Sequence, residues 1–350
     1  MRPPWLATVA WRFSVSVVLL VGLGWWLDGR AVIAQVEQIN LRWVAFGFVL
    51  SFGQTLLSAW RWRYTAGRLG LRLPFAEAVR EYYLAMFINQ VCPGGIVGDL
   101  SRALRHARTT ETGPAIRAVI LERLSGQMVM IVVALAAVIA LPDDVLGAVP
   151  FGWAFLFLLS LVTVVVMTLV RRHSSGDATL FDKVLRDTRV AVFSREAFPI
   201  QVISSFVIVA SYLAVFVVAA QGIGSDTPLV TLVPLIPIVL LAMLLPISIA
   251  GWGVREGVAA VLWAAAGLSA VEGAAISAAY GLIILISSLP GAGVLLSGFR
   301  TSQVTCTASV LSRLLFILKV KIEEDIFAEL VYLTRRTRNI ADCGNRFQAE

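Results

Sequence analysis

The sequence predicts an all-α polytopic membrane protein with six full spans and two opposed re-entrant helical hairpins, arranged as an inverted repeat. First, 58% of its 350 residues are hydrophobic and 15% are charged, and several windows exceed the roughly 18 apolar residues that mark a spanning helix. Second, arginines cluster between apolar segments, which the positive-inside rule assigns to the cytoplasm. Third, two breaks rich in glycine and proline, at residues 89–99 and 246–256, interrupt apolar sequence.

Six apolar segments have the length of a full span. Trp25 and Trp26 at the end of the first predict the membrane interface, and we expect that segment to be retained rather than cleaved. Arg61 and Arg63 follow the second span and place its end in the cytoplasm, so that both termini are predicted to be cytoplasmic. The predicted spans are residues 6–27, 41–60, 115–141, 151–170, 198–221 and 273–296.

The two connecting segments between spans differ in character. Residues 28–40 carry mixed charge and are predicted to form a short outer loop. Residues 171–195 are hydrophilic and cytoplasmic by the same rule, and they are long enough for a surface helix.

The hairpins are predicted from segments that cannot cross the membrane. Residues 74–110 begin and end among arginines, and their helical stretch at 75–88 is too short to span. Residues 229–268 would enter from the opposite face if the basic tail is cytoplasmic. Paired interrupted segments in two halves are typical of inverted-repeat transporters. The alternative is that residues 229–245 cross fully and the number of spans is odd.

Glycine and proline shape both breaks. Proline lacks a backbone donor and cannot continue a helix, whereas glycine adopts backbone angles that other residues avoid. The residues predicted to shape the hairpins are Pro93, Gly94, Gly95, Gly98, Pro246, Gly251 and Gly253.

Ionisable and polar residues near these breaks are the candidate substrate-binding residues, because such groups are rare and costly within a membrane. One arrangement brings acid and base from the two halves together near the midplane. Two structural alternatives stay open: Asp99 as the N-cap of the helix after Gly98, and Glu122 with Arg123 as a static pair. The candidates are Asn89, Asp99, Arg102, Glu122, Arg123, Arg255 and Glu256.

Several other functions are disfavoured by the sequence. The net charge of +7 predicts contact with anionic lipid head groups rather than nucleic acid. Cys92, Cys306 and Cys343 are widely spaced, there is no His-Glu-x-x-His motif or phosphate-binding loop, and we expect no metal or cofactor. An intramembrane protease is disfavoured because residues 96–99 lack the first glycine of Gly-x-Gly-Asp, and neither histidine lies in a span.

Four ordered motifs resemble the flippase-like membrane family that includes the transmembrane region of lysylphosphatidylglycerol synthetase. The resemblance covers about residues 6–298. This chain has Val97-Gly98-Asp99 where the family commonly has Gly-Gly-Glu, so the acid is kept with a side chain one methylene shorter. The motifs are Asn89-x-x-x-Pro93-Gly-Gly, Gly98-Asp99-x-x-Arg102, Glu122-Arg123-x-x-Gly126, and Pro246 followed by Gly251-x-Gly253-Val-Arg255-Glu256-Gly257.

The resemblance implies a lipid-translocating membrane domain at residues 1–298 of a bacterial or archaeal cytoplasmic membrane. Its cargo would be an anionic or aminoacylated phospholipid, a hopanoid or a polyprenyl-linked lipid. The residues after Arg300 are too few for the synthetase's soluble aminoacyl-transferase domain, so we expect no enzyme activity. Residues 299–350 are predicted to form a basic cytoplasmic tail with a surface helix.

Two other functions stay open. One is a non-transporting subunit that presents a lipid-linked substrate to a glycosyl- or acyltransferase, and the other is a small-solute or ion transporter with the same inverted-repeat logic. The expected partners are membrane lipids with anionic head groups, with a homodimer or a lipid-modifying enzyme as the protein partners left open.

Overall fold

The computed structural model describes residues 4–92, 97–141, 145, 178–243 and 248–299, and this part of the chain is helical. The two predicted breaks lie between the fourth and fifth and between the ninth and tenth of its helices. In chain order they are α1 (Pro4–Trp26), α2 (Gly29–Glu37), α3 (Leu41–Arg68), α4 (Phe75–Val91), α5 (Val97–His106), α6 (Thr112–Ile139), α7 (Ala178–Ala191), α8 (Ala197–Gly222), α9 (Leu229–Ala242), α10 (Val254–Ala265) and α11 (Ala270–Phe299).

Four of the described helices are long and apolar enough to cross a membrane: α3, α6, α8 and the Ala270–Leu296 part of α11. A fifth is added if the bent pair Phe13–Trp26 and Gly29–Glu37, whose axes differ by 97°, counts as one span. The predicted span at residues 151–170 and the tail after residue 300 lie outside the described residues.

The segment after α1 differs from the predicted loop. Residues 28–40 contain the nine-residue helix α2, which begins after Asp28. Asp28 adopts a left-handed conformation with φ 54°, and its side chain accepts a hydrogen bond from the Arg30 backbone N–H at 3.3 Å. Aspartate tolerates this conformation and caps helices well, so a turn of only two residues bends the chain by 97° here.

The end of α3 also differs from the prediction. The expected end at residue 60 is wrong, because the helix continues to Arg68 and carries Arg61 into the interior, where the residue is 4% exposed. Buried serine, threonine and glutamine side chains precede it on the same helix. The α3 helix therefore presents a polar face to the protein interior over most of its length.

Two pairs of short helices lie on either side of the breaks. In the first helix pair, α4 has 17 residues and α5 has 10, and in the second helix pair, α9 has 14 and α10 has 12. All four are shorter than the roughly 20 residues of a spanning helix. The members of each pair pack against each other.

Glycine permits close packing and unusual backbone angles at three of the predicted positions. A Cβ on Gly98 would collide with the Ala85 carbonyl oxygen, so the first helix pair depends on the bare backbone there. Gly251 and Gly253 have φ values of 82° and 86°, and Ala250, which precedes Gly251, has φ 50°. Pro93, Gly94, Gly95 and Pro246 lie outside the described residues.

The largest apolar core lies around α8, α9, α10 and α11. Its fully buried centre contains Phe216, whose ring centroid lies 6.3 Å from that of Trp263 and 5.3 Å from that of Tyr280. A second core lies around Trp62 in α3 and the first helix pair. The expected surface helix corresponds to α7, which is held by the Arg117–Asp187 ion pair at 2.6 Å.

Candidate functional site

A cavity of about 280 Å³ lies between the two helix pairs. Helices α3, α4, α5, α6, α8, α9 and α11 all contribute side chains to its wall, together with Ala250 from the second break. Because the wall takes residues from both helix pairs, the cavity exists only when the two halves of the chain are packed together.

Glu122 lies at the centre of the charged part of the wall. The guanidinium of Arg61 donates to Glu122 Oε1 at 2.7 Å, and that of Arg102 donates to Oε2 at 2.7 Å. The three side chains are 1 to 4% exposed. Charged groups tolerate such burial only when they are paired and hydrogen-bonded. Glu122 therefore ties α6 to both α3 and α5.

Asp99 extends the same network to the start of α5. Arg102 donates to Asp99 Oδ1 through Nε at 3.1 Å and through Nη2 at 2.9 Å. Arg123 donates to Asp99 Oδ2, and Asn89 Nδ2 donates to the same oxygen at 3.2 Å. All four carboxylate oxygens of Asp99 and Glu122 thus accept hydrogen bonds from arginines.

Asn89 holds the start of α5 in place. Its Oδ1 accepts a hydrogen bond from the Gly98 backbone N–H at 2.7 Å. The alternative in which Asp99 caps this helix is therefore not what the structure shows, because Asp99 lies in the first turn and receives guanidinium groups. An orphan N–H at a helix start needs an acceptor, and here the preceding helix supplies it.

Aromatic rings and a hydroxyl orient the buried arginines. The Arg102 guanidinium carbon lies 4.8 Å from the centre of the Trp62 ring and 4.5 Å from that of Tyr82. Arg61 donates to Ser205 Oγ in α8 at 2.7 Å. These contacts fix the guanidinium planes, which is the condition for fork-like binding of an oxyanion.

Three buried polar atoms of the cavity-lining residues have no hydrogen-bond partner among the described residues. They are Arg61 Nε, Arg102 Nη1 and Ser51 Oγ. Leaving such a group unsatisfied costs free energy, so each is a candidate for contact with a bound molecule. Two of the three are cationic donors, which favours a ligand that carries acceptor oxygens.

One face of α3 supplies neutral polar groups to the same cavity. The spacing of i, i+3, i+4 and i+7 places the four side chains on one side of the helix. Gln54 Oε1 accepts a hydrogen bond from Ser211 at 3.1 Å, and Thr55 donates to the Ser51 carbonyl at 2.8 Å. The polar face consists of Ser51, Gln54, Thr55 and Ser58.

Arg255 and Glu256 form a separate cluster behind the cavity wall. Arg255 donates to Glu256 Oε1 at 2.6 Å and to Ser277 Oγ at 2.8 Å. Glu256 Oε2 accepts a hydrogen bond from the Gly253 backbone N–H at 2.7 Å, which closes the turn before α10. The guanidinium carbon of Arg255 lies 5.2 Å from the ring centre of Tyr280, a residue of the cavity wall.

The structure therefore divides the seven predicted site residues into two groups. Asn89, Arg102, Glu122 and Arg123 line the cavity, and Asp99 contacts all of these except Glu122. Arg255 and Glu256 do not line it. Within the described parts of the chain, no salt bridge joins the two helix pairs, so the expected pairing of acid and base between the halves is not found.

Sequence reasoning missed Arg61 and the polar face of α3. Arg61 was assigned to the cytoplasmic surface by the positive-inside rule, although four polar residues at helical spacing precede it in α3. That polar stripe within an apolar segment is the signal that the helix faces an interior cavity. In the described residues no group of histidine, cysteine and carboxylate side chains is arranged to hold a metal ion.

Comparison with known proteins identifies the family. The family model described as the lysylphosphatidylglycerol synthase TM region matches residues 13–291. No curated protein matches the chain at a significant level. Several apolar helices of spanning length, together with this match, indicate a multi-pass membrane protein, which is consistent with a role in lipid-related processes. The chain belongs to the family of the lysylphosphatidylglycerol synthase transmembrane region.

Proposed function

We propose that this protein is a flippase-like transporter that moves a lipid across the cytoplasmic membrane of a bacterium or archaeon. The lipid head group would occupy the cavity between the helix pairs while its tails stay in the bilayer. The cargo class is an anionic or aminoacylated phospholipid, a hopanoid or a polyprenyl-linked lipid. The observation that carries the proposal is the buried arginine network in a cavity lined by both helix pairs.

The charge of the cavity supports a head group with an anionic part. Among the described residues, Arg61, Arg102 and Arg123 contact two carboxylates, so these five side chains together carry one positive charge in excess. Guanidinium binds phosphate oxygens in a fork geometry. Asp99 and Glu122 would neutralise the arginines when the cavity is empty, and a phosphate would take their place in part when a lipid enters.

The proposed topology has six full spans with the helix pairs as opposed re-entrant hairpins and both termini in the cytoplasm. Helices of 17 and 10 residues in one pair, and of 14 and 12 in the other, are too short to cross. Interrupted helices at corresponding places in two halves are a feature of transporters that carry an inverted repeat. Under this topology the cavity lies near the middle of the membrane.

The test is movement of chain-labelled phosphatidylglycerol in proteoliposomes made with the purified full-length protein. We expect wild type to move the lipid and Arg123→Gln to slow it about ten- to a hundredfold, because one guanidinium–oxyanion contact is worth roughly 1.5–3 kcal/mol. Arg123 suits this test because it is 36% exposed and Asp99 keeps Arg102 as a partner in the variant.

The matched control is Arg117→Gln. Arg117 lies on the same helix but pairs with Asp187 of α7, outside the cavity. Equal rates for wild type and both variants would contradict a lipid path through the cavity. No movement of any anionic, aminoacylated or polyprenyl lipid would overturn the proposal and favour the non-transporting subunit that presents a lipid to a transferase.

A further inference from the structure

We infer that the cavity selects a phosphate-bearing lipid whose head group is uncharged and rich in hydroxyls, such as a phosphoglycerol or a phosphosugar, and discriminates against an aminoacylated one. This inference rests on the proposed function and narrows its cargo class. It follows from how the charged and neutral groups are distributed along the cavity wall.

The carboxylates of Glu122 and Asp99 are already paired with arginines. An ammonium group on an aminoacylated head group needs an anionic partner in the cavity. Each oxygen of Glu122 and Asp99 already accepts a hydrogen bond from Arg61, Arg102 or Arg123. Among the described cavity-lining residues, Glu122 is the one carboxylate. An entering ammonium would have to displace an arginine and would face an excess of positive charge.

Two guanidinium groups of the cavity wall each carry a nitrogen without a hydrogen-bond partner among the described residues. Arg61 Nε and Arg102 Nη1 have no hydrogen-bond partner within the described part of the chain, while both side chains line the cavity. Their donors need oxygen acceptors, and phosphate supplies them with a matching charge. The arginine end of the cavity is therefore the phosphate subsite.

The neutral polar face of α3 lies one to three turns from Arg61 along the helix. Ser51 Oγ is buried and has no partner among the described residues, and the buried Ser58 also lines the cavity. Gln90 and Gln127 line the wall from α4 and α6. Hydroxyls and amides both donate and accept hydrogen bonds, as a polyhydroxyl group requires. This face is the head-group subsite.

The experiment compares three chain-labelled lipids in the same proteoliposomes. Phosphatidic acid carries the phosphate alone, phosphatidylglycerol adds an uncharged diol, and lysylphosphatidylglycerol adds ammonium groups to it. We expect the wild type to move the first two and to move the lysyl lipid at least about tenfold more slowly, because each 1.4 kcal/mol of charge repulsion is tenfold in rate.

Variants of the head-group subsite make the assignment specific. The double substitution Ser51→Ala with Ser58→Ala should slow phosphatidylglycerol about three- to tenfold, since one or two hydrogen bonds are lost, and should slow phosphatidic acid less. The matched control is Ser204→Ala, because Ser204 is buried in α8 and donates to the Ile200 carbonyl away from the cavity wall. Thermal unfolding of each variant checks that it is folded.

The outcomes separate this inference from the proposed function. Movement of the lysyl lipid at the rate of phosphatidylglycerol or faster overturns the inference and leaves the proposed function intact. The inference also fails if the double variant slows phosphatidic acid as much as phosphatidylglycerol, or slows neither lipid. No movement of any of the three by the wild type overturns both.

Discussion

Arg102 shows why the residues of this site depend on one another. It is 1% exposed, it binds both Asp99 and Glu122, and its guanidinium lies over two aromatic rings. A charge in such a place is tolerated only while its partners stay ionised and in contact. The network is therefore a structural element of the fold as well as the proposed binding site.

Removing the central carboxylate should reveal this dependence. Glu122→Gln leaves Arg61 and Arg102 buried without their shared anion, and loss of one partner of a buried pair costs about 3–5 kcal/mol. We expect a large fall in the thermal unfolding temperature of the detergent-solubilised protein. The matched control is Glu196→Gln, whose partner is Arg68 and whose side chain is 78% exposed.

The control should change the free energy of unfolding by at most about 1 kcal/mol, since exposed ion pairs contribute little. Similar small effects for both substitutions would show that Glu122 is not a buried anion in the folded protein.

At this scale the sequence predicts the acids and bases but not all of their partners. Asp99, Arg102, Glu122 and Arg123 stand out because ionisable residues are rare beside apolar segments. The burial of Arg61 cannot be predicted from the sequence around it, because the local density of arginines does not show which side chain packs in the interior. Arg255 and Glu256 stand out for the same reason as the others, yet the fold pairs them with each other.

At the scale of helices, the two breaks depend on close approach and on left-handed backbone. The first helix pair is closed by Gly98 against Ala85, and Asn89 bridges its two members. The second is closed by Gly251 and Gly253 with positive φ and by the Glu256 hydrogen bond to the Gly253 N–H. The first break therefore depends on close backbone packing, and the second depends on glycine at positive φ.

Gly98→Ala should destabilise the first helix pair. The new Cβ would collide with the Ala85 carbonyl oxygen, which belongs to the backbone and cannot rotate away. Overpacking of this kind costs about 1–3 kcal/mol. The measurement is thermal unfolding in detergent, with Gly53→Ala as the matched control because no atom lies within 4 Å of the added Cβ in α3.

Gly53→Ala should be neutral or stabilising by up to about 1 kcal/mol, because alanine is the better helix former. If Gly98→Ala unfolds at the temperature of Gly53→Ala, the close approach of α4 and α5 is not required.

Gly253→Ala tests the second break in the same way. It combines a left-handed backbone, which costs roughly 1–2 kcal/mol for other residues, with a Cβ that would lie 2.6 Å from Leu19 Cβ of α1. Gly267→Ala is the matched control, since it has φ 73° and no atom within 4 Å. We expect Gly253→Ala to lower the unfolding temperature clearly more than Gly267→Ala does.

Equal destabilisation by the two substitutions would mean that α1 does not pack across the second break. The contact between Ile249 N–H and Ser16 Oγ at 2.8 Å is the independent evidence that it does.

The sequence predicts the helices around the breaks well, because glycine, proline and short apolar runs carry a local signal. The 75–88 stretch corresponds to α4, and the short helix that the sequence predicts at 257–268 corresponds to α10, which lies at Val254–Ala265. It does not predict α2, whose capping depends on the left-handed Asp28. It also ends α3 too early, because the partner that makes the burial of Arg61 favourable is Glu122, 61 residues away.

At the scale of the whole molecule, the cavity is the feature that no single element contains. Its charged residues come from α3, α5 and α6, and further wall residues come from α4, α8, α9 and α11. Composition and charge predict a polar path between two interrupted segments, but the wall residues of α3 and α8 depend on long-range packing. The family match is consistent with the lipid-related role proposed for this cavity.

The most direct test of this account is protection of a single thiol in the cavity. In protein whose three cysteines are replaced by serine, Gln127→Cys places a thiol on the cavity wall in α6. The measurement is its rate of labelling by a water-soluble maleimide, with and without short-chain phosphatidylglycerol. Thr188→Cys in α7, away from the cavity wall, is the control.

We predict that phosphatidylglycerol protects Gln127→Cys and that diacylglycerol, which lacks the phosphate, does not, while labelling of Thr188→Cys is the same in all conditions. Unchanged labelling of Gln127→Cys at lipid concentrations that saturate transport would contradict a head group in this cavity.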